Sequence, residues 1–215
     1  MEHALLAGLG DDDRRRVLST LRRRRFGRRE VIFHEGDAGD SVHLVDSGHV
    51  GLRITTPGGD VAMVRIIGPG GFFGELALLT PGPRTASAIA LDGAQTLTMS
   101  REQLDELRQS SGAASDMLVT ALATEVRRLA AAHVEALYLP ADKRVFRRLL
   151  DATRAFGATP PVSVPLTQDE IAQLAGTTRP TANQLLGEAQ ESGAIELARG
   201  RIEVNDLAWL EHRAR

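Results

Sequence analysis

The sequence predicts an α+β chain: a β-sandwich, jelly roll or barrel in its first half, then one long helix, then a helical segment closed by a hairpin. Three observations predict this. Between Arg29 and Thr98, short apolar runs are separated by turns rich in glycine, proline and aspartate. Val119, Leu122, Val126, Leu129, His133 and Ala136 then recur at alternating spacings of three and four, a heptad-like seam. After Pro140, two short helical patterns flank Gly176 and precede two β-type runs.

Composition sets outer limits. The chain has 215 residues, 42% hydrophobic and 25% charged. Both fractions are ordinary for a globular protein, and the length suits one large domain or two small ones. There is no cysteine. This excludes disulfides, thiolate zinc sites, iron–sulfur clusters and a cysteine nucleophile. The formal charge is -2, so any nucleic-acid contact must come from a local patch. Charges interrupt every apolar stretch, and none reaches the ~18 residues of a membrane span. The opening MEHALLAGLGDDD lacks a cationic region and a long apolar core, so no secretory signal is expected and a cytoplasmic location is.

In chain order, residues 11–25 are expected to form a helix, with Asp11–Asp13 at the positive end of its dipole. Its arginine runs read as a solvated face leading into a strand. Val31–Phe33, Val42–Val45, Val50–Ile54, Val61–Ile67 and Thr96–Met99 are expected strands. Ser100 and Gln103 suggest a capping box for a helix ending near Ser111-Gly112. Ser115 or Asp116 is expected to cap the long helix, which Pro140 closes.

The C-terminal segment carries the sharpest local pattern. Thr167 and Glu170 have capping-box spacing, Ile171, Leu174 and Ala175 face inward, and Gly176 stands where a turn needs a positive φ. Thr178 caps a second helix with Pro180 in its first turn, where a missing amide donor costs little. Ala182, Leu185, Leu186 and Ala189 give its apolar stripe. The opposite side carries Arg179, Asn183, Gln184, Gly187 and Gln190, groups suited to a DNA major groove. Ile195–Leu197 and Ile202–Val204 flank Arg199-Gly200-Arg201, a hairpin with a basic tip. A helical packing module without nucleic acid would share the bare helix–glycine–helix pattern.

A second segment is rich in glycine: Gly68-Pro69-Gly70-Gly71-Phe72-Phe73-Gly74-Glu75-Leu76, followed by Arg84-Thr85-Ala86. Small residues let backbone amides approach a ligand oxygen, and an arginine can pair bidentately with a phosphate. The same residues would also make an ordinary loop with a surface ion pair. His34, His43 and His49 raise a cupin-like metal enzyme, but the close His-x-His with a following glutamate is missing, so no metal is expected. Nucleophile elbow, Walker A and His-Glu-x-x-His motifs are missing too, so no catalytic residue is assigned.

Taken together, these residues resemble the CRP/FNR family, the cyclic AMP receptor protein group of bacterial transcription regulators. The likeness covers nearly the whole chain. It rests on Glu35-Gly36-Asp37, Gly48, Phe73-Gly74-Glu75-Leu76, Arg84-Thr85-Ala86 and the stretch Leu166 to Leu186. It implies a jelly-roll or double-stranded β-helix effector domain over 1–114, a dimerisation helix over 115–139 and a winged helix-turn-helix over 140–215. It further implies that Gly74, Glu75, Leu76, Arg84, Thr85 and Ala86 form a cyclic-nucleotide phosphate cassette, with cAMP or a related nucleotide as effector. Glu75 would hold the ribose hydroxyl, and Arg84 and Thr85 the phosphate. The implied partners are double-stranded DNA at a roughly palindromic site, a second copy of the chain, and RNA polymerase.

Two departures stand out. The polar pair that reads adenine in cAMP-responsive members falls at Leu129 and Ala130, with Thr124 and His133 about a turn away. The family's Arg-Glu…Arg recognition pattern is Arg179, Pro180 and Gln184 here. The expected DNA set is Thr167, Thr178, Arg179, Pro180, Thr181, Asn183, Gln184, Arg199 and Arg201, with Arg179 on guanine, Asn183 and Gln184 near base edges, and Thr178, Thr181 and the Arg199/Arg201 tip on phosphates. Three effector readings stay open: a cyclic nucleotide, no small ligand, or a different anion. A nucleotide module that binds no DNA is the remote alternative.

Overall fold

The computed structural model describes residues 3–80, 82–110 and 112–215. The chain divides into two compact units. One comprises the chain up to Ile54 with Ile67–Ala130, the other Thr55–Ile66 with Ala131–Arg215.

The first unit begins with a 3-10 turn (Ala4–Leu6) and α1 (Asp11–Thr20). Two layers of sheet follow. One has the order β1-β8-β3-β6, built from Arg22–Phe26, Ala94–Ser100, Ser41–Ser47 and Phe72–Phe73. The other contains β2 (Val31–Phe33), β7 (Ser87–Ala90) and β4 (Val50–Thr55) in that order. These strands pair antiparallel, as a jelly roll requires. Alternation along β7 and β8 turns every second side chain inward, where Val45, Val50, Phe73 and Ala88 form one core cluster. A second cluster joins Leu5, Leu6, Val42, Leu44 and Met99 to α3 (Arg101–Ser110) and the start of α4 (Gly112–Tyr138). Between β6 and β7 lies α2 (Leu76–Leu79), a single turn. β5 spans Val61–Ile67.

The second unit holds α5 (Ala141–Phe156), β9 (Val162–Val164), α6 (Gln168–Ala175), α7 (Arg179–Glu191), β10 (Ile195–Ala198), β11 (Arg201–Val204) and α8 (Leu207–Ala214). Val145, Phe146 and Leu149 of α5 are fully buried, and Phe146 meets the edge of Trp209 at 5.3 Å. The three strands pair in the order β10-β11-β9. Glu135 in the last turn of α4 binds Arg147 at 2.9 Å and also Arg148, across the Pro140 N-cap of α5. No helix of the described residues is long and apolar enough to cross a membrane.

Two sequence expectations need correction. The helix expected over 11–25 stops at Thr20, and Arg22–Phe26 is an edge strand. Leu21 is already extended (φ -74°, ψ 143°), and the arginines pair with Gln95–Thr98 of β8. Long-range pairing overrides the helix propensity of arginine here. The long helix starts at Gly112, so Ser115 and Asp116 lie inside it and cap nothing. Ala114 and Leu118 are buried in the core cluster, which holds that first turn in helical form. Ser111, expected to end α3, lies outside the described residues. The Ser100–Gln103 capping box forms in both directions, at 2.9 and 3.3 Å.

Candidate functional site

The glycine-rich segment is organised around Arg84. Gly74 has φ +85°, a left-handed conformation that favours glycine, and a Cβ there would lie 2.6 Å from Arg84 Nη1. Arg84 is buried. Its Nη1 donates to the carbonyls of Ser41 (2.6 Å) and Gly74 (3.0 Å), and its Nη2 to Ser41 Oγ (3.1 Å). The guanidinium sits 4.2 Å from the centroid of the Phe33 ring. The Asp40 carboxylate lies 3.7 Å from Nη2, on the exposed surface. Arg84 Nε is buried with no partner. Burial is the main cause that lowers the pKa of Arg84.

Behind Arg84 stands an aromatic wall. His43 stacks on Phe73 at 5.0 Å and meets Phe33 at 5.8 Å. Its Nδ1 lies 3.1 Å from Thr96 Oγ, and burial drives its pKa down to about 3, with Arg84 adding to the shift. His43 is therefore neutral. Among the described residues no group of three His, Cys, Asp or Glu side chains could hold a metal ion.

The rest of the cassette lies close in sequence. Glu75 is the N-cap of α2, and its carbonyl accepts from the amides of Leu78 and Leu79. Leu76 and Thr85 are exposed, and Ala86 is buried. Leu129 and Ala130 are exposed on α4. The Thr124 hydroxyl donates to the carbonyl of Thr120 on its own helix. Ser41, Phe33 and His43 had not been linked to Arg84 in the sequence. Ser41 stands 43 positions from it, and no local spacing signals that meeting.

The C-terminal surface is built as the sequence predicts. Thr167 Oγ accepts from the amide of Glu170 while Glu170 Oε2 accepts from the amide of Thr167, and Gly176 ends α6 at φ 59°. Thr178 caps α7, and its hydroxyl is 2.9 Å from that of Thr181. Arg179, Pro180, Asn183 and Gln184 are exposed and Thr181 is half-buried. Ala198 pairs with Arg201, so Arg199 and Gly200 form the hairpin tip. Arg199 is exposed, and Arg201 Nε donates to Glu203 at 2.6 Å.

Known proteins share both halves. Residues 23–111 match the Cyclic nucleotide-binding domain family, and residues 143–213 match the Crp-like helix-turn-helix domain. The chain is 35% identical over 213 residues to the Cyclic AMP receptor protein of Thermus thermophilus, covering 98% of this chain and 96% of the other. The chain belongs to the CRP/FNR family. It is 32% identical over 194 residues to the CRP-like cAMP-activated global transcriptional regulator of Mycobacterium tuberculosis, covering 88% and 87%. The crystal structure of the Thermus thermophilus catabolite activator protein has a TM-score of 0.56 at 33% identity, covering 98% of each chain. As a member of the CRP/FNR family, this protein is a DNA-binding transcriptional regulator with a cyclic nucleotide-binding domain, and not an enzyme.

Proposed function

We propose that this CRP/FNR regulator works as a cytoplasmic homodimer controlled by a cyclic nucleotide, in three parts: an effector domain over 1–114, a dimerisation helix over 115–139 and a DNA-binding domain over 140–215. One observation carries the effector reading. Arg84 is a buried cation whose Nε has no partner and whose ion-pair partner Asp40 is exposed and 3.7 Å away. A buried charge paired only at that distance is costly, and an anion at this position offsets the cost. Gly74, lacking a Cβ, leaves room for the guanidinium itself. The phosphate lies against Arg84 and Thr85, and Glu75 takes the ribose hydroxyl. Leu129 and Ala130 offer the base no hydrogen bond, so the site grips phosphate and ribose with little selection for adenine.

The dimer reading rests on α4. Val119, Val126 and Leu129 are 65%, 64% and 53% exposed in the single chain. An apolar seam at heptad spacing is stabilised by a second copy. Two-fold pairing sets two α7 helices about 34 Å apart, matched to successive major grooves of a palindromic site. Arg179 and Asn183 face base edges, and Pro180 and Gln184 stand beside them on the exposed face of α7. Thr167, Thr178, Thr181, Arg199 and Arg201 face phosphates. Nucleotide acts by binding one dimer state more tightly than the other. RNA polymerase is the partner once DNA is bound.

Calorimetry with cAMP and cGMP on the wild type and Arg84→Ala tests this, with the mass in solution measured alongside. Expected are a dimer, binding of both nucleotides with little preference, and loss of both in the variant. A stable monomer on duplex DNA would refute the dimer. Nucleotide binding unaffected by Arg84→Ala would refute the pocket.

A further inference from the structure

Resting on the reading that α7 enters the major groove, we infer that Arg179 and Asn183 act as a pair. They read a guanine and an adenine one or two base pairs apart in each half-site, and Gln184 does not set the sequence. Ala182, Leu186 and Ala189 are fully buried, so the roll of α7 about its axis is fixed. Arg179 and Asn183, four residues apart, then stand one above the other on its outer face.

Both also line one cleft of about 380 Å³, together with Thr167 and Asp169 at the start of α6 and Ala198 and Gly200 of the wing. Gln184 is not among the lining residues. It shares its column with Pro180, which has no hydrogen-bonding side chain, so that column has no polar group at its N-terminal end. Further along, Glu188 is held by Arg213 at 3.2 Å, and Gln190 Oε1 accepts from the amide of Leu197 at 2.9 Å. Thr167, Gln168 and Asp169 of the α6 start line one side of the cleft, and the polar groups that α7 itself supplies are Arg179 and Asn183, both of which pair bidentately with bases. A guanidinium matches guanine O6 and N7, and a short amide matches adenine N6 and N7. Four residues of helix advance about 6 Å, and base pairs stack about 3.4 Å apart, so the two contacts fall one or two steps apart.

The test is selection from a pool of randomised duplexes at fixed salt, using the full-length chain with cAMP present. The wild type is expected to enrich a guanine and an adenine at that spacing, with about 5- to 150-fold preference for adenine at its position. Asn183→Ala should flatten the adenine position and keep the guanine, and Arg179→Ala should do the reverse. Gln184→Ala should select as the wild type does. A circular dichroism melt of Asn183→Ala matching that of the wild type shows that the variant is folded. An adenine preference that survives Asn183→Ala, or is lost in Gln184→Ala, overturns the pairing, as does a wild-type site lacking the guanine–adenine pair. A wild type that enriches no sequence overturns the groove-reading assignment itself, a separate failure.

Discussion

Acid should destabilise the first unit through one buried imidazole. His43 is 1% exposed, stacked on Phe73 and bonded to Thr96. Burial, then Arg84 and Arg24, lower its pKa from 6.5 to about 3, while Asp40 opposes the shift. The unfolded chain protonates this ring near pH 6.5, but the folded one resists until about 3. Between those values the unfolded state binds more protons. Stability is therefore complete above about pH 6.5 and is lost as pH falls toward 3. The linkage amounts to about 2 kcal/mol at pH 5 and saturates near ~5 kcal/mol below pH 3.

Urea unfolding followed by far-UV circular dichroism at pH 8 and pH 5, on the wild type and His43→Phe, isolates this effect. Fluorescence is unsuitable because Trp209 packs on Phe146 in the other unit. Phenylalanine keeps the stack and leaves the Thr96 hydroxyl unpaired, at a cost of about 1–2 kcal/mol that is the same at both pH values. Other titrating groups are common to both proteins and cancel. The wild type should lose about 2 kcal/mol more than the variant on acidification. Equal losses would refute the account of a neutral, charge-excluding wall behind Arg84.

Gly74→Ala should weaken cyclic-nucleotide binding by about tenfold or more, because its Cβ falls 2.6 Å from Arg84 Nη1 and displaces the guanidinium. Calorimetry showing unchanged affinity would mean that the position of Arg84 is irrelevant. Thr167→Ala removes the hydroxyl that accepts from the Glu170 amide, while the backbone amide at 167 still donates to Glu170 Oε2, and should cost the second unit about 1 kcal/mol, read by Trp209 fluorescence during denaturation.

Much of the second unit was legible because its signals are local. A capping box, a left-handed glycine and a proline in a first helical turn each act within a few residues, and α6, Gly176 and α7 follow them. The alternating runs of β3, β4 and β5 were legible for the same reason. Arg22–Phe26 was not, since four arginines in a row show no alternation and β8 makes them a strand. The small residues of β7 also gave too weak a pattern, and they become a strand between β2 and β4.

Sequence alone thus decided the succession of a β segment, a long helix and a helix-turn-helix, the turn glycines and which residue types could meet phosphate or bases. Those follow from backbone sterics and hydrophobic period, which operate over a few neighbouring positions. Only the tertiary structure decided that Ser41, Phe33 and His43 form the seat of Arg84, and that Arg179 and Asn183 share a cleft with the wing. Such groupings arise when distant segments bury common apolar surface, so they depend on the packed fold and on no spacing along the chain.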